Sequence, residues 1–387
     1  MKRIFVFAVC GIEEHIDTLH FSLEKLKKFS NSKFIVVTDS SRNEKPILVD
    51  SLIDVKTPQE FDNHQASIYL KTGLFKFLPK GNLYCYLDSD VVSVSTECDE
   101  IFNEFIAPIR FAPDHCQVPM FSPAAVNCEC QKEISNYVLQ LNKLLDEADP
   151  YRNSKDENII SKRKELEETY WKIKTNYSLL FQVGLKFVFS FKEFKLSQDM
   201  IYNKKTKIWR SGDGKAFKRA FNLSKITRKL GLEWSITDPV PRLKDGRSIW
   251  QMECLHLLQF IKEKFNIEVS DKNWQHWNGG VFLFSDESHS FLNTWHEMTL
   301  EIFKDPKWKT RDQGTLIATV WKLGLENHPM LDKKWNLLAD YNNPNVIWLE
   351  GWKIQLSSKE IVQPNFVHVY HHFFDKNWLL WRKIEEL

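Results

Sequence analysis

Glycine is scarce in this chain, with 13 among 387 residues. That excludes a collagenous or Gly-rich low-complexity protein. An excess of one charge sign is also missing: 53 Lys and Arg stand against 51 Asp and Glu, a formal net of +2. A protein that binds nucleic acid over its whole surface is normally far more basic, so composition names no polyanionic partner and no nucleic acid is expected. No run of about 18 apolar residues occurs, which leaves no transmembrane helix to predict. A cysteine framework is absent too. The seven cysteines (10, 85, 98, 116, 128, 130 and 254) are odd in number, and several sit in apolar surroundings. The first eleven residues start basic and turn apolar, but the run stops at Gly11 and meets Glu13 and Glu14. It is too short for a secretory core with its cleavage site, and reads as a buried strand. Reduced thiols and a cytoplasmic location are the expectation.

What is present is an ordinary globular balance, 43% hydrophobic and 27% charged, with 13% aromatic residues including 14 Trp. The length suits two domains, or one α/β domain with an insertion. The first hundred residues alternate strand and helix signals. Residues 4–9 form a continuous apolar run, as in a strand covered on both faces. Ile16, Leu19, Leu23, Leu26 and Phe29 follow at helical spacing. Residues 34–37 are a second strand. Residues 66–77 read as a helix stopped by Leu78-Pro79-Lys80-Gly81, and 83–87 as a third strand. Repeated β-α-β units predict an α/β fold with a doubly wound, mostly parallel central sheet. Ligands bind such sheets beyond the carboxyl ends of the strands, so the segments after Val9, Val37 and Leu87 should meet in one crevice.

Residues 116–250 differ in character. Stretches 133–145 and 158–180 are charged and helix-prone, and a largely helical insertion is expected. From 274 the α/β pattern resumes, with a strand at 280–284, helices at 291–303 and 313–323, and a late strand at 366–370. The expected organisation is therefore 1–115, 116–250 and 251–387.

Asp88 and Asp90 carry the strongest chemical signal. Two carboxylates, two residues apart, sit where the apolar strand Leu83-Tyr84-Cys85-Tyr86-Leu87 ends. Carboxylate oxygens in that position suit a hard divalent cation, which in turn suits a diphosphate. The plain alternative is a solvated Asp-Ser-Asp turn. Strand-end placement favours the site.

The acidic pair, with Lys71 seventeen residues before it, resembles the nucleotide-sugar half of GT-A-fold glycosyltransferases, particularly family 8-like retaining enzymes. Later blocks agree in order: Trp277-Asn278-Gly279-Gly280-Val281-Phe282-Leu283-Phe284, Arg311-Asp312-Gln313, Lys334-Trp335-Asn336 and Phe366-Val367-His368. The likeness covers about residues 1–115 and 270–380. It implies sugar transfer from a UDP-sugar to a glycan, lipid-linked or other hydroxyl acceptor, with retention of configuration and Mn²⁺ or Mg²⁺ as cofactor. It assigns the metal to Asp88, Asp90 and His368. Ala8, Val9, Asp39, Lys71, Ser89, Asn278, Gly279 and Lys376 fall at donor-binding positions. Asp312, Gln313 and Lys71 fall at the reacting end. The departures are the missing acid after the first strand, where Val9-Cys10-Gly11 stands, and the missing Gly and Pro after His368. His371 and His372 remain alternatives to His368, which is preferred because it ends an apolar run.

Two other readings stay open. Leu87-Asp88-Ser89-Asp90-Val91-Val92 fits the first motif of haloacid-dehalogenase phosphatases, with Asp88 as nucleophile, although two strand units precede it. A silent sugar-nucleotide-binding protein is the third.

Residues 204–229 hold ten Lys and Arg against Asp213 alone, and 215–230 space apolar residues on one helical side. Such a helix suits an anionic membrane surface, which would place the protein peripherally at the inner face of a membrane; it equally suits an anionic acceptor, or packing on the protein with its basic side solvated. His115, Cys116, Cys128 and Cys130 lack a zinc-knuckle spacing and are read as ordinary cysteines with a neighbouring histidine. Leu379, Leu380, Trp378 and Trp381 are read as packing.

Overall fold

The structure is a computed structural model. It describes all residues except 149–153, 198–199, 206–207, 215–216, 219–227, 234–241, 245–252, 340–346, 357–359 and 371–372. The chain parts into two compact units, 1–128 with 254–387, and 129–253. The excursion thus starts thirteen residues later than the expected 116, because residues 116–128 finish a strand and a helix of the first unit.

In chain order the first unit opens with β1 (Lys2–Ala8), α1 (Glu13–Phe29), β2 (Lys33–Thr38), β3 (Leu52–Asp54), α2 (Asn63–Thr72) and α3 (Leu74–Phe77). It continues through β4 (Asn82–Leu87), β5 (Val91–Ser93), β6 (Ile109–Gln117) and α4 (Val118–Ala125). The second unit holds α5 (Glu129–Ala148), α6 (Glu157–Thr175), α7 (Tyr177–Phe189), β7 (Glu193–Ser197), β8 (Met200–Asn203), β9 (Ile208–Arg210) and β10 (Phe217–Lys218). The first unit then resumes with α8 (His256–Phe265), β11 (Gln275–Phe284), α9 (His289–Ile302), α10 (Arg311–Lys322) and β12 (Leu337–Leu338). It ends with β13 (Ile347–Leu349), β14 (Lys353–Gln355), β15 (Ile361–Val362), β16 (Phe366–His368) and α11 (Leu379–Glu386).

The central sheet runs β3-β2-β1-β4-β11-β6. Strands β3, β2, β1 and β4 pair in parallel, and β11 is antiparallel to both of its neighbours. The fold is therefore α/β with a mostly parallel central sheet, as the alternating β-α-β pattern predicts. Period-two alternation sends Val6, Tyr86 and Phe282 to one core, and Phe5, Phe7, Cys85, Leu87 and Val281 to the other, while a break in register between Asn278 and Phe282 puts Trp277 in the first core as well. Both faces are covered, which is why these strands read as continuous apolar runs. The chain steps from β1 through β2 to β3 on one side, then crosses back to β4 on the other. This reversal opens a crevice at the carboxyl ends of β1 and β4, at Ala8 and Leu87.

A small sheet, β12-β16-β5, sits beyond β4. Antiparallel pairing of β16 with β5 sets His368 opposite Val91, one residue past Asp90.

Two expected helices are broken. The 66–77 stretch is α2 and α3, divided at Gly73. The 158–180 stretch ends at Asn176, whose side chain accepts from the amides of Ser178 and Leu179 and starts α7. The second unit is less helical than expected: β10-β9-β8-β7 form an antiparallel sheet over Phe194, Met200, Tyr202 and Trp209, against Leu166 and Ile173 of α6. The helix expected at 215–230 is corrected at its start, because Phe217–Lys218 pairs with β9 as a strand. Residues 215–216 and 219–227 lie outside the described residues.

Helix α2 carries Lys71 into the crevice, and its start is fixed by a capping box. The amide of Gln65 donates to Asp62 (2.7 Å), and the amide of Asp62 donates to the Gln65 side chain (3.0 Å). Asp62→Ala should lower stability by about 1 kcal/mol in chemical denaturation, while Asp62→Asn, which keeps the accepting oxygen, should retain most of it. Equal loss in both variants would show that the nearby Arg311 ion pair, at 3.7 Å, matters more than the cap.

Candidate active site

Strand β4 delivers Asp88 to the crevice and β11 locks it there, since the Asp88 amide donates to the Gly280 carbonyl (2.8 Å). The chain then turns, and the carbonyl of Asp90 accepts from Val369, just past β16 (2.9 Å). Ligand atoms of Asp88, Asp90 and His368 thereby come within 4.8 Å of one another. His368 Nε2 lies 3.2 Å from Asp90 Oδ1.

The orientation of the imidazole follows from a backbone donor. The Gly280 amide donates to Asn278 Oδ1 (2.8 Å), so that oxygen is fixed as an acceptor. Asn336 Nδ2 donates to the same oxygen (3.0 Å), which fixes the Asn336 amide and turns its Oδ1 toward His368 Nδ1 (3.1 Å). His368 Nδ1 is then assigned as the donor, and Nε2 faces the carboxylates, the arrangement that a metal-binding histidine uses. Asn278 is held on its other side by Asp114 Oδ2 (3.0 Å).

Lys71 is 8% exposed and places Nζ 3.2 Å from Asp88 Oδ1 and 3.1 Å from Asp312 Oδ2. The Tyr86 hydroxyl donates to Asp88 Oδ1 at 2.5 Å. Burial alone would discharge Lys71, but Asp88 and Asp312 outweigh it and hold the ammonium charged. Burial raises the Asp88 carboxyl above its ordinary value, with a further push from Asp90 against the pull of Lys71. Burial also acts against Asp90 and Asp312, yet His368 holds the first below the usual range and Lys71 the second. Three carboxylates thus share one ammonium and one imidazole. That deficit of positive charge, with two carboxylates and an imidazole nitrogen converging, fits a bound divalent cation such as Mn²⁺ or Mg²⁺.

The site opens into a cleft of about 730 Å³. Of the sequence candidates, Ala8, Val9, Lys71, Asp88, Ser89, Asp90 and Asp312 line it. Asn278, Gly279 and Gln313 stand behind this lining. Gln313 Oε1 accepts from the Gly279 amide (2.8 Å) and its Nε2 donates to the Trp277 carbonyl (3.0 Å), so both ends of its amide brace β11. The glycines allow the approach. A Cβ on Gly280 would lie 2.5 Å from His368 Cε1 and 2.9 Å from Asp88 Oδ2; one on Gly279 would lie 2.6 Å from Gln313 Oε1.

Two candidates are not brought in. Asp39 is buried and is not among the residues that line the cleft, and its oxygens accept from Ser41 and from the amide and hydroxyl of Thr57. Burial works against the Asp39 charge, but those hydrogen bonds hold its carboxyl far below the usual range. Lys376 is exposed and is not part of the lining. His371 and His372 lie outside the described residues. Residues that the sequence reading missed are Tyr86, Tyr370, Phe373, His15, His64 and Asn63, all of which line the cleft. Tyr86 alone carried a signal: two residues before Asp88 on one strand, it shares that face.

No family model matches the chain, and no curated protein matches it. Solved structures similar to it include the apo glycosyltransferase GlyE of Streptococcus pneumoniae TIGR4, 18% identical over 29% of this chain and 29% of that one (TM-score 0.21). The galactosyltransferase LgtC, in complex with donor and acceptor sugar analogues, is 8% identical over 100% of this chain and 94% of that one (TM-score 0.40). Mouse xyloside xylosyltransferase 1, apo form, is 10% identical over 88% of both chains (TM-score 0.34). This chain spans less than a third of GlyE but most of the other two. Likeness of this degree leaves the functional reading to the site itself.

His368 provides a direct check of the geometry. Burial pulls its pKa down from 6.5, and the adjacent Asp90 charge more than reverses that, so it titrates above 6.5. A raised folded-state value means that this pair stabilises fully below pH 6.5 and less as pH rises through that value. In metal-free protein, Asp90→Asn should lower the His368 midpoint measured by NMR. An unchanged midpoint would show that the carboxylate does not face the ring.

Proposed function

We propose that this chain is a metal-dependent glycosyltransferase that moves a sugar from a UDP-sugar to an acceptor hydroxyl with retention of configuration. One observation carries the reading: Asp88, Asp90 and His368 converge at the reversal point of the sheet, beside the buried ammonium of Lys71. A divalent ion held by these three residues would supply positive charge to a diphosphate.

The chain's own groups account for the rest. Lys71, kept charged by Asp88 and Asp312, is poised to stabilise the diphosphate oxygens as the glycosidic bond breaks. The turn between the two acids is closed by the Val91 amide, which donates to the Asp88 carbonyl (3.0 Å), and Ser89 is fixed by its carbonyl, which accepts from the Ser22 hydroxyl (2.6 Å). Tyr370 and Phe373 give the cleft an aromatic wall, suited to a nucleobase or a sugar face. Asp312 lines the cleft beside Lys71, which suits a role at the reacting sugar, and Gln313 acts through the strand it braces. The acceptor is a glycan, a lipid-linked sugar or another hydroxyl compound.

The membrane contact expected at 204–230 falls in part outside the described residues, and no described helix is long and apolar enough to cross a bilayer. Support for a peripheral contact comes instead from α7 and the residues just after it. Tyr177, Phe181, Val188, Phe189 and Phe191 are 91%, 68%, 71%, 84% and 91% exposed, and residues 177–192 contain no acid. Phe181→Ser with Phe189→Ser should reduce sedimentation with phosphatidylglycerol-containing vesicles; wild-type sedimentation in that variant would remove α7 from the contact.

A thermal-shift panel of UDP and UDP-sugars, with and without Mn²⁺, tests the central reading. Stabilisation of about 2.7 kcal/mol is expected at a hundredfold excess over Kd, and only with the metal. Asp90→Ala should abolish it. Lys71→Met should still bind the metal and lower the transfer rate by about 10²–10³-fold. Nucleotides that never stabilise the protein, together with hydrolysis of a simple phosphate ester, would point to the phosphatase chemistry of Asp88 instead.

A further inference from the structure

The sequence pairs two sets of soft ligands at one-residue spacing, Cys128-Glu129-Cys130 and Cys254-Leu255-His256. They are 126 residues apart. They mark the points where the chain leaves the first unit and where it returns, after residue 128 and at residue 254. Within that unit the two ends are adjacent. Cys254 is anchored because its amide donates to the Pro119 carbonyl of α4 (2.9 Å), and Cys128 follows the same helix. The Cys128 and Cys254 sulfurs lie 3.8 Å apart, and the ligand atoms of Cys128, Cys254 and His256 all lie within 4.8 Å of one another.

That sulfur separation is informative. It is much too long for a disulfide, whose sulfurs are about 2 Å apart. It equals the edge of a tetrahedron around zinc, since two Zn–S bonds of about 2.3 Å at the tetrahedral angle put the sulfurs about 3.8 Å apart. A supporting group is also in place. The Ser122 hydroxyl oxygen already accepts from the Leu257 amide (2.9 Å), and its own proton is free to point at Cys254 Sγ, 3.1 Å away. A hydroxyl donating to a coordinating sulfur is how metal thiolates are oriented and tuned.

We propose that Cys128, Cys254 and His256 bind a structural zinc ion, the three-ligand set that leaves one tetrahedral position to solvent. The site stands apart from the Asp88–Asp90–His368 cluster in its chemistry: thiolates select a soft or borderline ion, whereas the cleft's carboxylates select a hard one. Binding releases the two thiol protons to solvent and holds together the ends of a long chain excursion. This proposal departs from the sequence reading of these residues as ordinary cysteines. The grouping considered there joined Cys128 and Cys130 to His115 and Cys116. In the structure Cys116 lies with Asp114 and His276, and the partners of Cys128 come from the far side of the excursion.

The test uses the full-length chain carrying Asp90→Ala, so that the cleft does not contribute metal. Protein stripped with a chelator under reducing conditions is titrated with Zn²⁺ alone, then gel-filtered. One zinc per chain should be retained, and thiol alkylation should release it. Co²⁺ in its place should show the thiolate charge-transfer and tetrahedral d–d absorption bands. Cys254→Ser should lose these bands, and His256→Ala should weaken zinc binding at least tenfold. The proposal falls if the wild-type cysteines retain no zinc and give no such spectrum, if Cys254→Ser keeps it, or if thiol counting finds Cys128 and Cys254 as a disulfide. The wild-type cobalt spectrum and zinc count decide the matter even where a variant fails to fold.

Discussion

A partly buried excess of negative charge at the end of β4 organises the crevice of the first unit. Asp88, Asp90 and Asp312 converge where a carboxylate loses most of its hydration, and unpaired charges there would cost several kcal/mol each. Every neighbouring element answers that cost. Helix α2 inserts Lys71 between Asp88 and Asp312, β16 brings His368 to Asp90, and Tyr86 donates its hydroxyl from within β4 itself. With the His368 imidazole neutral, three carboxylates against one ammonium leave a deficit the size of one divalent cation, so the demands of folding and of cation binding coincide.

The glycine pair of β11 makes this convergence geometrically workable. With side chains at 279 and 280, neither Lys71, Gln313 nor His368 could keep its place. The pair also exposes backbone amides, and Asn278 and Gln313 collect them into a polar lattice that reaches His368 through Asn336. A scarce residue type is thus concentrated where close approach is needed. Flanking aromatic residues stabilise the same strand: Phe111 stacks on Trp277 and Phe282 at ring centroid distances of 5.1 and 4.6 Å. Much of the aromatic excess in the composition is spent in this way, on the cores either side of the sheet.

Much of the framework was legible from local pattern. Strands β1, β2 and β4 were marked by continuous apolar runs because both faces of the sheet are covered, and α1 by its helical spacing. The acidic pair stood out because it follows such a run. Less was visible where two helices meet. Gly73 and Asn176 break stretches whose apolar spacing continues through them, since periodicity reports a buried face and is blind to a cap. The engagement of Asp39 was hidden for a related reason. Its place after a strand suits ligand contact, but Thr57, eighteen residues on, takes up its oxygens.

The sequence by itself determined the run of β-α-β units, the exit of Asp88 and Asp90 from an apolar strand, and the near-neutral total that hides unlike regions. These are properties of neighbours along the chain, where side-chain period and turn chemistry act directly. Only the tertiary structure decided that His368 faces Asp90, that Asn336 orients it, that Lys71 bridges two carboxylates, and that Cys128 meets Cys254. Each of these contacts joins residues far apart in the chain. No local pattern encodes them, because they arise when strand order and sheet register bring separate segments to one place.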